Sequence, residues 1–239
     1  MRIKAAHLTR KGAIEWRSHE PSRIETFSDA AFAFALTLII VSIEVPKSFD
    51  DLMETMKGTL SFAVCFALLF NIWNSQNIFF RRYGLNDSYI TALNAILLFV
   101  VLIYTYPLKF LFELVFSQTQ TYKLNGKELP MIHEGQINTL MLIYGAGFIA
   151  IYSLFYLMYR HAQKQAHALK LTPVELYETK TATNINLVCI CICLLPTLAV
   201  IIAPVYSANF GFAYFLIPVS YFVWFSYRGR KRRRLFSEG

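Results

Sequence analysis

Arg23, Ser28 and Asp29 place a guanidinium, a hydroxyl and a carboxylate at one end of the apolar run from Arg23 to Val45, RIETFSDAAFAFALTLIIVSIEV. Charge at the edge of a membrane span is costly unless paired, so such groups point to interhelical pairing or to an ion path. The separation of Arg23 and Asp29 does not match the i+3 or i+4 neighbours of a helix. Pairing is therefore expected across subunits or with polar groups of another span. The second apolar run offers such groups in Asn71, Asn74, Ser75, Gln76 and Asn77. These could meet Arg23, Ser28 and Asp29, or serve ordinary interhelical packing. Phe34, Leu38 and Val41 follow at i, i+4 and i+7 with Thr37 beside them, an apolar stripe that by itself reads as lipid-facing or packed.

Catalytic chemistry finds little support. His7, His19, His133, His161 and His167 fall in tails and loops, no H-E-x-x-H or G-x-S-x-G is present, and acids are not paired within spans. No enzyme activity and no cofactor are expected. Cys65, Cys189, Cys191 and Cys193 lie in apolar runs, where cysteine behaves as a small hydrophobe. The C-x-C-x-C spacing sends alternate residues to different faces of a helix, so no metal is expected.

The elements that position these residues are membrane spans. Composition is 56% hydrophobic and 16% charged with mean hydropathy +0.42, too apolar for a soluble domain of 239 residues. Ser22 and Glu25 have the capping-box spacing, so a helix is expected from Arg23, stopped by Pro46. Further spans are expected at about Thr59 to Phe80, Ser88 to Phe110 with Pro107 kinking or ending it, and Ile137 to Tyr159. Gly145, Gly147 and Ala150 there offer surfaces for close helix approach. Two more are expected at Asn184 to Val205, kinked by Pro196, and at Phe210 to Tyr227. KSFDDLMETMKG reads as a polar turn or short helix, TPVELYETK as a connection, and Asn125-Gly126 as a turn in the longest loop.

Lysine and arginine placement sets the orientation. Of the 23 basic residues only Lys47, Lys57, Lys109, Lys123 and Lys127 fall on one side, so both termini are expected in the cytoplasm. The architecture expected is thus an all-α membrane protein of six transmembrane helices. Residues 1–22 form a basic cytoplasmic N-tail, 23–227 the membrane domain and 228–239 a basic cytoplasmic C-tail. The N-tail lacks the apolar core and cleavage site of a signal peptide. RGRKRRR beside a span reads as a topology determinant contacting anionic membrane lipids, not as a nucleic-acid patch.

Arg23, Phe27, Ser28 and Asp29 spell R-x-x-x-F-S-D at the start of the first span of a six-span chain. This resembles the signature of the transmembrane protein 175 family of potassium channels, in its prokaryotic-type form with one six-helix repeat. The resemblance implies a potassium-permeable cation channel in the plasma membrane, assembled as a homotetramer with the first helix lining the pore. It implies that Phe34, Leu38 and Val41 form stacked hydrophobic rings, a hydrophobic gate, and that Thr37 takes part in ion coordination and selectivity. The chain departs from the family's usual Ile or Leu at Phe34. Arg23, Phe27, Ser28 and Asp29 are implied to be a structural motif. A T-V-G-Y-G carbonyl filter is absent, so weak to moderate selectivity is expected. The rival reading is a secondary ion transporter, though neither an internal repeat nor a midplane acid is evident.

Overall fold

The computed structural model describes residues 16–18, 20–41, 46–116, 121–124, 127–133, 135–203, 213 and 216–236. Helix α1 (Arg23–Val41) begins where the capping box places it: Ser22 N donates to Glu25 Oε1 at 3.0 Å and Glu25 N to Ser22 Oγ at 3.4 Å. Residues 42–45, and with them the expected run up to Pro46, lie outside the described part. The stretch after Pro46 is helical, as α2 (Phe49–Lys57), and leads through Gly58 into α3 (Thr59–Tyr83). Gly84 closes α3 at φ 60°, and its N–H returns to Phe80 O at 2.7 Å, the left-handed cap that glycine adopts without a Cβ clash.

Helix α4 (Ser88–Phe116) does not stop at Pro107. A proline inside a helix lacks the N–H that would bond the carbonyl four residues before it, here Ile103 O, and membrane helices nonetheless tolerate prolines in their interior. Tyr144 Oη donates to Pro107 O at 2.8 Å, and a Lys109–Glu113 ion pair of 3.3 Å at i,i+4 lies along the extension. In the long loop, β1 (Thr121–Leu124) and β2 (Lys127–Pro130) form an antiparallel hairpin, the one non-helical element among the described residues. Residues 125 and 126, where a turn was expected, are outside the described part, but the pairing of Leu124 with Lys127 leaves a two-residue connection there.

Helix α5 (Gln136–Lys164) carries the span into its basic extension. A Cβ at Gly147 would lie 1.9 Å from Tyr104 Cε1, so glycine is what allows α4 and α5 to approach, and Tyr104 Oη donates to Ile143 O at 2.7 Å beside it. Helix α6 (Pro173–Ile202) begins well before the expected Asn184. The reason is a second capping box: Glu175 N donates to Thr172 Oγ1 at 3.2 Å, Thr172 N donates to Glu175 Oε2 at 2.9 Å, and Pro173 occupies the first turn. Helix α7 (Leu216–Phe236) runs on through RGRKRRR instead of ending at Tyr227.

Among the described residues five helices, α1, α3, α4, α5 and α6, are long and apolar enough to cross a membrane. The described apolar part of α7, residues 216–227, is about 18 Å long, short of the roughly 30 Å hydrocarbon core. The start of the expected sixth span falls on residues outside the described part. Helix α1 packs on α3 and α4, α4 on α5, α5 on α6, and α6 on α7. The main core joins Phe32, Ala35 and Ile39 of α1 to Leu97 and Leu98 of α4 and Phe155 and Met158 of α5, and a smaller one around Ile185, Cys189, Cys193 and Ile217 joins α6 to α7.

Asp87 caps α4 by accepting from Ile90 N at 2.8 Å, and its other oxygen is 2.6 Å from His161 Nε2, tying the α3–α4 loop to the end of α5. Partial burial pushes this carboxyl up, but the Ile90 N–H bond and the hydrogen bond and charge of His161 outweigh it and hold the carboxyl below its ordinary value. A lowered folded pKa stabilises the fold above the unfolded carboxylate pKa of about 3.9, and that stabilisation is lost as pH falls through the folded value. The acid limb of thermal stability below about pH 4 is therefore expected to be shallower in Asp87→Asn than in the parent. Superimposable acid limbs in melting scans across that range would refute it.

Candidate functional site

The buried side of α1 is the stripe Glu25, Ser28, Phe32, Ala35 and Ile39, at the 3–4 residue spacing of one helix face. Ser28 is fully buried and is the polar centre of this face. Its hydroxyl donates to Ile24 O at 2.7 Å and accepts from Asn94 Nδ2 at 2.9 Å, while Asn94 Oδ1 accepts from Gln76 Nε2 at 2.9 Å. A hydrogen-bond chain thus links α1 to α4 and α3, with Ser28, Asn94 and Gln76 all inside the packed bundle.

Asp29, one residue on, turns toward α3, where Trp73 Nε1 donates to Asp29 Oδ1 at 2.7 Å. A charge-assisted bond of this kind is stronger than a neutral one. The motif therefore divides by face. Ser28 and Asp29 tie α1 to α3 and α4, whereas Arg23 and Phe27 are exposed, Phe27 at 67%. No bond between Arg23 and Asp29 or the amides of α3 occurs among the described residues.

The polar end of α3 divides likewise. Gln76 enters the relay, and Gln76, Asn77 and Asp29 line one polar pocket with Glu20, Glu25 and Arg81. Asn71 and Ser75 face a different, apolar groove and bond to each other through Ser75 Oγ and Asn71 O at 2.8 Å, while Asn74 is exposed. Asn94 and Trp73 were missed by sequence reasoning. An amide inside the otherwise apolar third span was the available signal for Asn94.

A second anchor holds the entrance to α1. Arg17 forms a bidentate pair with Glu175, Nη1 to Oε1 and Nη2 to Oε2 both at 2.9 Å, and its Nε donates to Leu169 O at 3.0 Å. Arg17 N and Ser18 N both donate to Arg81 O, and the Arg81 guanidinium lies 4.9 Å over the Trp16 ring. The segment just before the first span is thereby fastened to the ends of α3 and α6.

Phe34, Thr37, Leu38 and Val41 lie on the side of α1 away from the packed stripe. Phe34 is 56% and Val41 73% exposed, Thr37 is exposed and Leu38 is half-buried. Thr37 Oγ1 donates to Ala33 O at 2.9 Å, which uses its proton and leaves oxygen lone pairs free to accept. The cysteines are split as helix geometry requires, Cys189 and Cys193 buried and Cys191 exposed.

Replacing Asn94 by alanine is expected to cost about 1–3 kcal/mol, because the buried Gln76 amide loses its acceptor and the Ser28 hydroxyl its donor. A detergent melting temperature equal to the parent's would show that the relay does not bear load.

Several apolar spans, a buried polar relay behind the first helix, and an unpacked outer face on that helix define a polytopic helical membrane protein. The family profile described as the endosomal/lysosomal potassium channel TMEM175 matches residues 23–104. A protein named potassium channel from Marivirga tractuosa is 38% identical over 234 residues, covering 93% of this chain and 94% of the relative. The chain belongs to the TMEM175 family. A crystal structure of a variant of the potassium channel MtTMEM175, bound to a nanobody fusion, is 35% identical with TM-score 0.77 and covers 91% of this chain and 97% of that one. The structure of a lysosomal potassium-selective channel TMEM175 homolog from Chamaesiphon minutus is 21% identical with TM-score 0.56, covering 84% of this chain and 96% of that one, a likeness of fold.

Proposed function

We propose that the protein is a potassium-permeable, weakly to moderately selective cation channel of the plasma membrane, with both termini cytoplasmic. In this reading it is a homotetramer whose α1 helices line the pore. The observation that carries the reading is the two-sidedness of α1: one stripe is packed on α3 and α4, and the opposite stripe, Phe27, Phe34 and Val41, is left open by its own subunit.

Brought together around an axis, Phe34, Leu38 and Val41 would form apolar rings that gate ions by expelling water, since a dehydrated cation meets no compensating dipole there. Thr37 supports ion contact in that arrangement, because its hydroxyl proton is already committed to Ala33 O. Arg23, Phe27, Ser28 and Asp29 hold the helix in register, Ser28 and Asp29 toward their own subunit and the exposed Arg23 and Phe27 toward a neighbour. The polar relay then sets the angle at which α1 presents its rings. A six-span topology with both ends on one side agrees with the basic-residue asymmetry.

The test is ion flux from purified protein in liposomes, potassium against sodium, with single-channel recording. Unitary current steps that favour potassium are expected. Stoichiometric, step-free exchange would instead indicate a transporter.

A further inference from the structure

We propose that the groove between α3 and α7 holds an acyl chain of an anionic phospholipid whose headgroup rests on the basic end of α7. The groove is walled by Leu68 and Ile72 of α3, Phe148 and Phe155 of α5, and Tyr221 and Phe225 of α7. Its enclosed volume is about 130 Å³ and its side is open to the surroundings, so it suits an elongated apolar group lying along it and not a compact ligand. Helix α7 packs chiefly on α6.

The chemistry of the walls selects an apolar occupant. Most of the lining is aliphatic or aromatic, and of its polar groups Ser75 Oγ donates to Asn71 O and Asn186 Nδ2 to Ala182 O, both at 2.8 Å, while Tyr104 Oη and Tyr144 Oη donate to backbone carbonyls of α5 and α4. Lining residues run along α5 from Tyr144 to Tyr159, about 22 Å at the helix rise, against roughly 15 Å for one leaflet of the hydrocarbon core. A chain from a single leaflet fits this length.

Basic residues follow the lining along α7. One helical turn beyond Phe225, the Arg228 guanidinium lies 5.2 Å over the Tyr177 ring and 5.1 Å over the Trp224 ring. Its side-chain hydrogen-bond partner is the neutral Tyr177 hydroxyl at 3.5 Å, and Trp224 Nε1 donates to Thr181 O at 3.2 Å. Arg230 and Lys231 follow, both exposed. Aromatic rings with cations beside an apolar cleft form the pattern of a lipid interface, and each basic residue near the surface is worth about fivefold in affinity for anionic lipid.

The full chain, purified in detergent, is titrated with phosphatidylglycerol and with phosphatidylcholine, and retained lipid is counted by native mass spectrometry. Phosphatidylglycerol is expected to be held preferentially. Ser75→Phe, which fills the groove, is expected to lower retention of both lipids. Arg228→Gln is expected to weaken phosphatidylglycerol about fivefold and leave phosphatidylcholine unchanged. Should Ser75→Phe not fold, Ala182→Leu on the facing helix gives the same readout. Equal binding of the two lipids, or undiminished retention by a folded groove-filling variant, overturns the proposal. So does a Ser75→Phe protein that loses its oligomeric state with its lipid count intact, which would make the groove a contact between copies of the chain.

Discussion

Glu175→Ala is expected to lower stability by about 3–5 kcal/mol, the cost of leaving one partner of a buried pair uncompensated. The Glu175 side chain is fully buried, and Arg17 is 16% exposed, so solvent does not replace either partner. The same carboxylate accepts the Thr172 N–H, so the variant also loses that half of the α6 capping box, while the backbone N–H at 175 keeps its bond to the Thr172 hydroxyl. Arg17→Ala should be comparably damaging, since it strands a carboxylate in the packed junction of α3, α5 and α6. A domain stable by only about 5–15 kcal/mol gives up much of its margin to either change.

The apolar pair Arg17→Met with Glu175→Leu should recover the part of the loss due to the stranded charge, though not the bonds to Thr172 N and Leu169 O, because buried ion pairs replaced by packed apolar groups are often neutral. Detergent melting curves of the two singles and the double form the cycle. Additive losses, with no coupling beyond about 0.5 kcal/mol, would show that the pair does not act as a unit.

This anchor was out of reach of the sequence because its partners are 158 residues apart and neither stands out locally. Glu175 sat in a stretch taken for a connection, although Thr172, Pro173 and Glu175 carry a complete helix-start signal. The same signal at Ser22 and Glu25 was legible, since an apolar run followed at once and fixed its meaning. At Thr172 the first turns of α6 are polar, so apolar periodicity starts late and masks the true beginning. Pro107 misled in the opposite direction. A soluble helix would end near it, but in this apolar span α4 continues to Phe116. Spans α1, α3, α4 and α5 were readable from length and hydropathy, and Gly147 from its small size. Ser28 and Asp29 were found as polar residues in an apolar run. Their partners Asn94 and Trp73 were not, because a lone amide or indole in a span does not say which helix it will meet.

Phe34→Asn is expected to raise cation flux at least about tenfold, which corresponds to taking about 1.4 kcal/mol from the barrier. The side chain is 56% exposed and packs little against the rest of the chain, so the change should cost little folding stability. That separates it from substitutions at Phe32, Ala35 or Ile39, where α1 is buried and a lost contact would disturb the helix itself. If the constriction works by expelling water, an amide ring lets water persist at the level of Phe34, and the dehydration barrier falls. Val41→Asn, at 73% exposure one turn beyond Leu38, should act in the same direction. Leu38→Asn should be intermediate in flux and more costly to stability, because Leu38 is half-buried against its own subunit. A lipid-facing stripe makes the contrary forecast, since each polar substitution would then impair membrane insertion or folding and leave unitary conductance untouched. Single-channel conductance and potassium-to-sodium permeability, measured on variants that elute at the parent's size, distinguish the two. Unchanged conductance in folded Phe34→Asn and Val41→Asn proteins would remove the pore from this face of α1.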